Sequence, residues 1–211
     1  FYSQSGQDKI IKEFFFIDFD QSTSSGYFVE IGAYDGVTGS NCYHFEKFCN
    51  WDGVAIEPSS LQFQKLTKNR RCKVINKAID KYERDIEFIE VLEGYTQMSY
   101  IQNKIYNNSE EVLKKDHRTK TKNQKIKTSL FNNIIEIKEI NYLSIDTEGN
   151  ELDILQSIDF DKFNIKVISV ENNNPEDLKI NKFLTKKNFI YFDNIGVDEI
   201  YYNKKFFTPK S

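Results

Sequence analysis

Tyr27-Phe28-Val29-Glu30-Ile31-Gly32-Ala33-Tyr34-Asp35-Gly36 is the stretch that decides how this chain is read. Five strand-forming residues run straight into a turn with two glycines, and residues 41–49 after it read as a helix. A strand that opens into a glycine turn and then a helix is the nucleotide cradle of α/β folds, because glycine lets a ligand approach the backbone closely. The spacing is not G-x-G-x-x-G, and Glu30 and Asp35 flank the turn with negative charge. Two carboxylates repel a pyrophosphate. They suit a ligand that carries an ammonium and a sulfonium, which is what S-adenosylmethionine presents.

Outward from this turn, short β-rich runs alternate with helical stretches, the pattern of a parallel sheet wrapped by helices. Residues 53–57, ending in Glu57, predict a second strand, with Pro58 opening the next turn and a helix to about residue 69. A carboxylate at that strand end is placed to accept hydrogen bonds from a ribose diol. A third, shorter strand is expected at residues 73–77. Residues 85–92 and 125–130 also read as strands, residues 140–146 resume the main sheet, and a helix follows at about 150–157. Residues 166–171 predict another buried strand and residues 176–187 a helix. Strands at 189–193 and 199–203, with Asn194-Ile195-Gly196 between them, read as a terminal antiparallel hairpin. The expected architecture is therefore Rossmann-like, a mostly parallel seven-stranded sheet in a single domain over residues 1–211.

The bulk numbers fit that reading. A chain of 211 residues with 39% hydrophobic and 29% charged residues can bury one sizeable core. The net charge of −3 gives no long-range pull on nucleic acid. Cys42, Cys49 and Cys72 have no C-x-x-C spacing and leave an odd count, which argues against a disulfide framework or zinc site and favours a reducing, cytoplasmic setting. The longest apolar run, Phe14-Phe15-Phe16-Ile17, stops at Asp18, far short of a membrane span. No signal-peptide pattern is visible, and the first residue is Phe1 rather than Met. Residues 102–127 are rich in Lys and Asn and form the main compositional anomaly. Three readings stay open for them: a solvated excursion, a lid over the site, or a nucleic-acid contact.

Asp146 and Glu148 leave the end of one strand and Glu171 the end of its expected neighbour, so the three should meet at the C-terminal edge of the sheet. Close carboxylates either hold a hard cation such as magnesium or manganese, or raise one another's pKa and leave a usable base. Glu148 and Glu151 could equally serve only the helix N-terminus. Asp146 could also bind a cofactor ammonium. His44 reads as a packed residue on the first crossover helix. His117, in the polar excursion, is a candidate base facing a substrate.

These motifs together resemble the FkbM family of methyltransferases, over nearly the whole chain. Ser3-Gln4-Ser5-Gly6-Gln7-Asp8 looks like that family's opening S-Q-x-G-x-D. The segment 28–36 with Ser40-Asn41 is similar to its cofactor loop, Glu57-Pro58 to the end of its second strand, and Ala78-Ile79 to the segment after the third. Thr128-Ser129-Leu130 and Asp146-Thr147-Glu148-Gly149-Asn150-Glu151 look like its T-x-L and D-x-E-G-x-E signatures, the last being the most specific. The resemblance implies S-adenosylmethionine-dependent O-methylation of a sugar hydroxyl, on a nucleotide-linked sugar or a glycan or polysaccharide precursor. It implies cofactor contacts at Gln7, Glu30, Gly32, Ala33, Asp35, Gly36, Asn41, Glu57, Pro58, Ala78, Ile79 and Asp146. Residues 102–127 match no motif of the family.

Other readings compete with this one. An RNA methyltransferase on the same fold is favoured only by the basic cluster at 114–127, and a salt-dependent affinity for RNA would mark it. A non-catalytic module that kept the fold would fail to bind the cofactor. A nicotinamide oxidoreductase is disfavoured by the glycine spacing and the loop charge. A saccharide is the expected partner, a membrane is not, and self-association is open.

Overall fold

The computed structural model describes residues 1–16, 25–174 and 176–207. Ile17 and Asp18, which close the apolar run noted above, lie outside the described residues. The main sheet holds seven strands: β1 (Tyr27–Ile31), β2 (Asp52–Ile56), β3 (Lys73–Ile75), β8 (Glu139–Ile145), β9 (Asn164–Glu171), β10 (Phe189–Ile195) and β11 (Asp198–Asn203). Their order is β3-β2-β1-β8-β9-β11-β10. The strands from β3 to β9 pair in parallel, while β11 is antiparallel to both β9 and β10. The expected doubly wound sheet with its terminal hairpin is present. The direction of winding reverses between β1 and β8, and that crevice is where open α/β sheets bind ligands.

Side chains alternate across this sheet, and each face carries its own core. Val29, Ile31, Leu143, Ile145, Ile168 and Val170 pack on one face with residues of α5 (Phe131–Ile134), α6 (Glu151–Ser157) and α7 (Lys179–Lys186). Phe28, Ala55, Tyr142, Val167 and Ile200 pack on the other. That second face is covered by α1 (Gln7–Phe15), α2 (Tyr43–Phe48) and α3 (Ser60–Asn69). Burial on both faces explains why these strands read as continuous apolar runs. The start of α3 is fixed by Ser59, whose Oγ accepts from Gln62 N at 3.2 Å.

A second, four-stranded sheet is the feature the sequence pattern did not disclose. Its order is β4-β7-β5-β6, formed by β4 (Ala78–Ile79), β7 (Lys120–Ser129), β5 (Asp85–Glu93) and β6 (Tyr100–Ile101). Residues 102–127 are therefore not an unstructured excursion. They hold α4 (Asn107–Lys115) and most of β7. β7 pairs antiparallel along β5 from Asp85 opposite Lys127 to Glu93 opposite Lys120. The pairing sets a lysine-rich strand against an acidic one, with Lys120 on Glu93 at 2.7 Å and Lys125 on Glu87 at 3.8 Å.

Smaller departures concern ends. The third strand stops at Ile75, the last helix starts at Lys179 rather than Glu176, and the terminal strands run on to Ile195, so that the hairpin turns at Gly196-Val197. No helix among the described residues is long and apolar enough to cross a membrane.

Candidate active site

Parallel register puts the strand ends side by side. Ile56, Ile31, Ile145 and Val170 are neighbours across β2, β1, β8 and β9. The next position on each strand is therefore Glu57, Gly32, Asp146 and Glu171, and Asp198 of β11 pairs with Glu171. Asp146, Glu171 and Asp198 point to the face that carries Tyr142, Val167 and Ile200, because they lie an even number of residues from them. Three carboxylates in one row, with a glycine between them and Glu57, form the floor of a cavity of about 400 Å³. Gly32 is at φ 85°, and a Cβ built there would lie 1.6 Å from the carbonyl oxygen of Asp146. Only glycine allows this close backbone approach.

The turn itself departs from the charge argument. Glu30 is not a free acceptor. Its Oε2 lies 2.7 Å from Nη1 of Arg70, and its Oε1 accepts from Ser40 Oγ at 2.7 Å. Arg70 also holds Glu46, through Nε at 2.5 Å, and donates to the carbonyl of Gly36 at 3.1 Å. Asp35 closes a local turn, accepting from Val37 N, Thr38 N and Thr38 Oγ1 at 2.8–2.9 Å. Neither Asp35 nor Gly36 lines the cavity, whereas Glu30, Gly32, Ala33, Tyr34 and Asn41 do. The two carboxylates that seemed to advertise a cationic ligand are thus committed to building the turn.

Glu57 is held by backbone donors. Its Oε2 accepts from Tyr34 N at 2.9 Å and its Oε1 from Ser59 N at 2.7 Å, which fixes the carboxylate on the cavity wall. Burial pushes its pKa up to about 8, against the backbone donors that favour the charged form. Each oxygen keeps a second lone pair for a ligand hydroxyl. Pro58, Lys77, Ala78 and Ile79 continue the wall on this side. Replacing Glu57 by Ala should weaken cofactor binding by roughly 1–3 kcal/mol, the loss for hydrogen bonds to a charged group. Calorimetry checks this, and unchanged affinity would move the ribose site elsewhere.

At the opposite end stands the turn Asp146-Thr147-Glu148-Gly149-Asn150. Glu151 organises it. Its Oε1 accepts from Thr147 N, Thr147 Oγ1 and Gly149 N at 2.9–3.0 Å, and its Oε2 accepts from the Tyr106 hydroxyl at 2.8 Å. Glu148 is held with φ 60°, a strained conformation for a residue with a side chain. It lines the cavity, its Oε2 is buried without a hydrogen-bond partner among the described residues, and burial raises its pKa to about 7. Asp146 and Glu171 are pushed well above their ordinary range, by burial first and then by neighbouring carboxylates.

These shifts have one sign and a consequence for stability. A carboxyl whose folded pKa exceeds its unfolded value of ~4 binds its proton more tightly when folded. It stabilises the protein at acidic pH, and that contribution is lost as pH climbs through the folded value. Asp198 stands at about 6, Glu148 at about 7 and Glu57 at about 8. The ligand-free protein should therefore melt at progressively lower temperature as pH rises from about 6 to about 8. Circular dichroism reads this directly, and a melting temperature that climbs over that interval would contradict the buried row.

Several parts of the wall were not expected. Tyr95, Thr96, Gln97, Met98 and Ser99 line the cavity, and the Tyr34 hydroxyl meets Thr96 Oγ1 at 2.7 Å. Ser109 and Val112 of α4 also face it, so part of the 102–127 segment walls the site. His117 does not. It is exposed on the turn between α4 and β7, away from the wall. His44 is half-buried and stacks on Phe1 at 4.2 Å. Gln7 lines the cavity and donates to the carbonyl of Ile195 at 3.3 Å. Asp8 ties the opening segment down by accepting from Ser3 Oγ at 2.6 Å. Among the described residues no three His, Cys, Asp or Glu side chains, Asp146, Glu148 and Glu171 included, gather as ligands for one metal ion.

The strand order and the acidic cavity at its switch point define a class I methyltransferase fold. The chain belongs to the family described as Methyltransferase FkbM domain, whose model matches residues 30–191. No curated protein matches it. Among solved structures it is similar to methyltransferase FkbM from Methylobacillus flagellatus KT, at 14% identity and TM-score 0.49, over 90% of this chain and 46% of that one. It is also similar to the N-terminal domain of human METTL16, at 11% identity and TM-score 0.50, over 95% of this chain and 68% of that one. A methyltransferase from Pyrococcus furiosus aligns at 14% identity and TM-score 0.44, over 93% of each chain. The chain thus spans less than half the length of the Methylobacillus protein.

Proposed function

We propose that this chain is an S-adenosylmethionine-dependent O-methyltransferase whose acceptor is a sugar hydroxyl. The observation that carries the reading is the single cavity that runs from Glu57, fixed at the end of β2, to Glu148 beyond the end of β8. Its residues fit the cofactor: a carboxylate with lone pairs for a diol, a glycine approach at Gly32, and buried acceptor atoms without donors. S-adenosylmethionine, when bound, supplies an electrophilic methyl group.

An alcohol is a weak nucleophile unless its proton leaves as the new bond forms. Glu148 Oε2 is the group for that proton, since it is buried, unpartnered among the described residues and poised near neutral pKa. Glu171, whose Oε1 accepts from Asn173 Nδ2 at 2.6 Å, offers a second acceptor beside it. The acceptor end of the wall offers Asn173, Ser99 and Ser109 beside Val112, and its only charged groups are carboxylates. Lys77 is the only lysine or arginine on the described wall, and it lies at the Glu57 end, between β3 and β4. Such a surface suits a neutral polyol better than a phosphate group. The reading takes the chain as one unit and places it in the cytoplasm, which suits three buried free cysteines.

The basic cluster gives the RNA reading little support. Lys114, Lys115, Arg118, Lys120 and Lys125 each pair with an acidic neighbour. The test is transfer of labelled methyl from S-adenosylmethionine to a panel of nucleotide sugars, free oligosaccharides and RNA. Product that gains one methyl on a sugar hydroxyl supports the reading. Label found only in RNA would overturn it.

A further inference from the structure

We infer that Asp198, together with Asn41, holds the ammonium group of the methyl donor's amino-acid tail, the role that the sequence offers to Glu30, Asp35 or Asp146. The inference rests on the cofactor reading above and deepens it. Glu30 cannot take that role as it stands, because one of its oxygens faces Arg70 and the other faces Ser40. A cationic ligand group must find its carboxylate elsewhere.

Asp198 begins β11, is 3% exposed and lies on the cavity wall beside Glu171. Among the described residues no lysine or arginine pairs with it. Asn41, 6% exposed, aims its amide between β8 and β11. Its Nδ2 donates to Asp198 Oδ2 and to Ser144 Oγ, both at 3.1 Å. Those bonds assign the amide's orientation and leave Oδ1 as a buried acceptor without a donor among the described residues. A buried acceptor left unsatisfied costs free energy unless a ligand supplies the donor. Asn41 and Gln7 hydrogen-bond the Asp198 carboxylate, yet this carboxylate, the orphaned amide oxygen and the neighbouring Asp146 hold no cation among the described residues. The chemistry that completes this group is a cation with several N–H groups, which a primary ammonium is.

The position is consistent with the rest of the site. Asp198 and Glu57 lie at opposite ends of the row, with Gly32 and Asp146 between them. A donor with its ribose at Glu57 and its ammonium at Asp198 would cross the switch point, where Gly32 lets it pass close to the backbone.

Calorimetry on the intact chain tests this with two probes. S-adenosylhomocysteine carries the ammonium, and 5′-methylthioadenosine lacks the whole amino-acid tail. With Asp198→Asn the affinity for S-adenosylhomocysteine should fall about 10- to 100-fold, the range for a lost hydrogen-bonded charge, while that for 5′-methylthioadenosine stays as in the wild type. Asp198→Ser serves as the second variant, and the melting temperature shows that each is folded. Wild-type affinity for S-adenosylhomocysteine in both variants would overturn the inference. So would an equal loss for both probes, which would make Asp198 a support for the cavity as a whole. A wild-type chain that binds neither probe would remove the cofactor reading itself, a result separable from either of these.

Discussion

Glu148→Gln should lower turnover by about 10²- to 10⁴-fold, the usual contribution of a positioned base, while cofactor affinity stays unchanged. The argument starts from the backbone. Glu148 sits at φ 60° and Gly149 at φ 113°, so the turn after β8 is left-handed at two successive residues. Glu151 stabilises that shape by accepting two backbone N–H bonds and the Thr147 hydroxyl within it. A Cβ at Gly149 would lie 1.9 Å from the carbonyl oxygen of Lys104, so the turn is also wedged against the turn that joins β6 to α4. The strain aims one carboxylate into the cavity, and burial brings its pKa to about 7. Glutamine keeps the size and loses the basicity. In the wild type kcat/KM should rise with pH through about 7, because the base works when deprotonated. The variant should lose that limb of the profile. Full turnover in Glu148→Gln would remove the residue from the mechanism.

The second large effect lies in the turn's foundation. Arg70→Ala should destabilise the fold by about 3–5 kcal/mol, because it strands two buried carboxylates. The side chain of Arg70 is 0% exposed, with Glu30 at 5% and Glu46 at 3%. Arg70 also donates to Gly36 O and Ser40 Oγ, so the cofactor turn loses three of its ties at once. Lysine would not replace it, since one ammonium cannot reach both carboxylates and the carbonyl in the guanidinium's fixed geometry. The pH dependence separates this cause from simple loss of packing. In the variant, Glu46 loses the guanidinium that holds its carboxyl low, and burial, which opposes its charged form, lifts its folded pKa. Acid then costs the variant less than the wild type, and the deficit in melting temperature shrinks as pH falls towards ~4. A deficit that stays constant from neutral to acidic pH would contradict the ion-pair account.

The sequence discloses the parts of this site that are local. The run from Tyr27 to Gly36, Glu57 at the end of the next strand, and Asp146 to Glu151 all stand at strand ends marked by apolar runs and glycine. Strand-to-strand register then places them in one row without further information. Arg70 was not legible, because an arginine just past a helix reads as a solvated end, and its partners lie 40 and 24 residues away. Asp198 was hidden for a similar reason: a short hairpin looks like an edge, and only its antiparallel register brings it beside Glu171. Only the end of β7, from residue 125, showed the strand pattern, because Ile126 is its only large apolar residue. What holds it is an acidic partner strand, and the alternation of charges between residues 85–93 and 120–127 was the signal available. Tyr95 to Ser99 carried none, as loops that wall a site are set by the elements they bridge.

The most direct test of the central claim is a calorimetric titration of the intact wild-type chain with S-adenosylmethionine. The account predicts saturable binding at one site per chain with an affinity in the micromolar range, opposed by Glu57→Ala. No heat of binding to a chain shown to be folded by circular dichroism would contradict it.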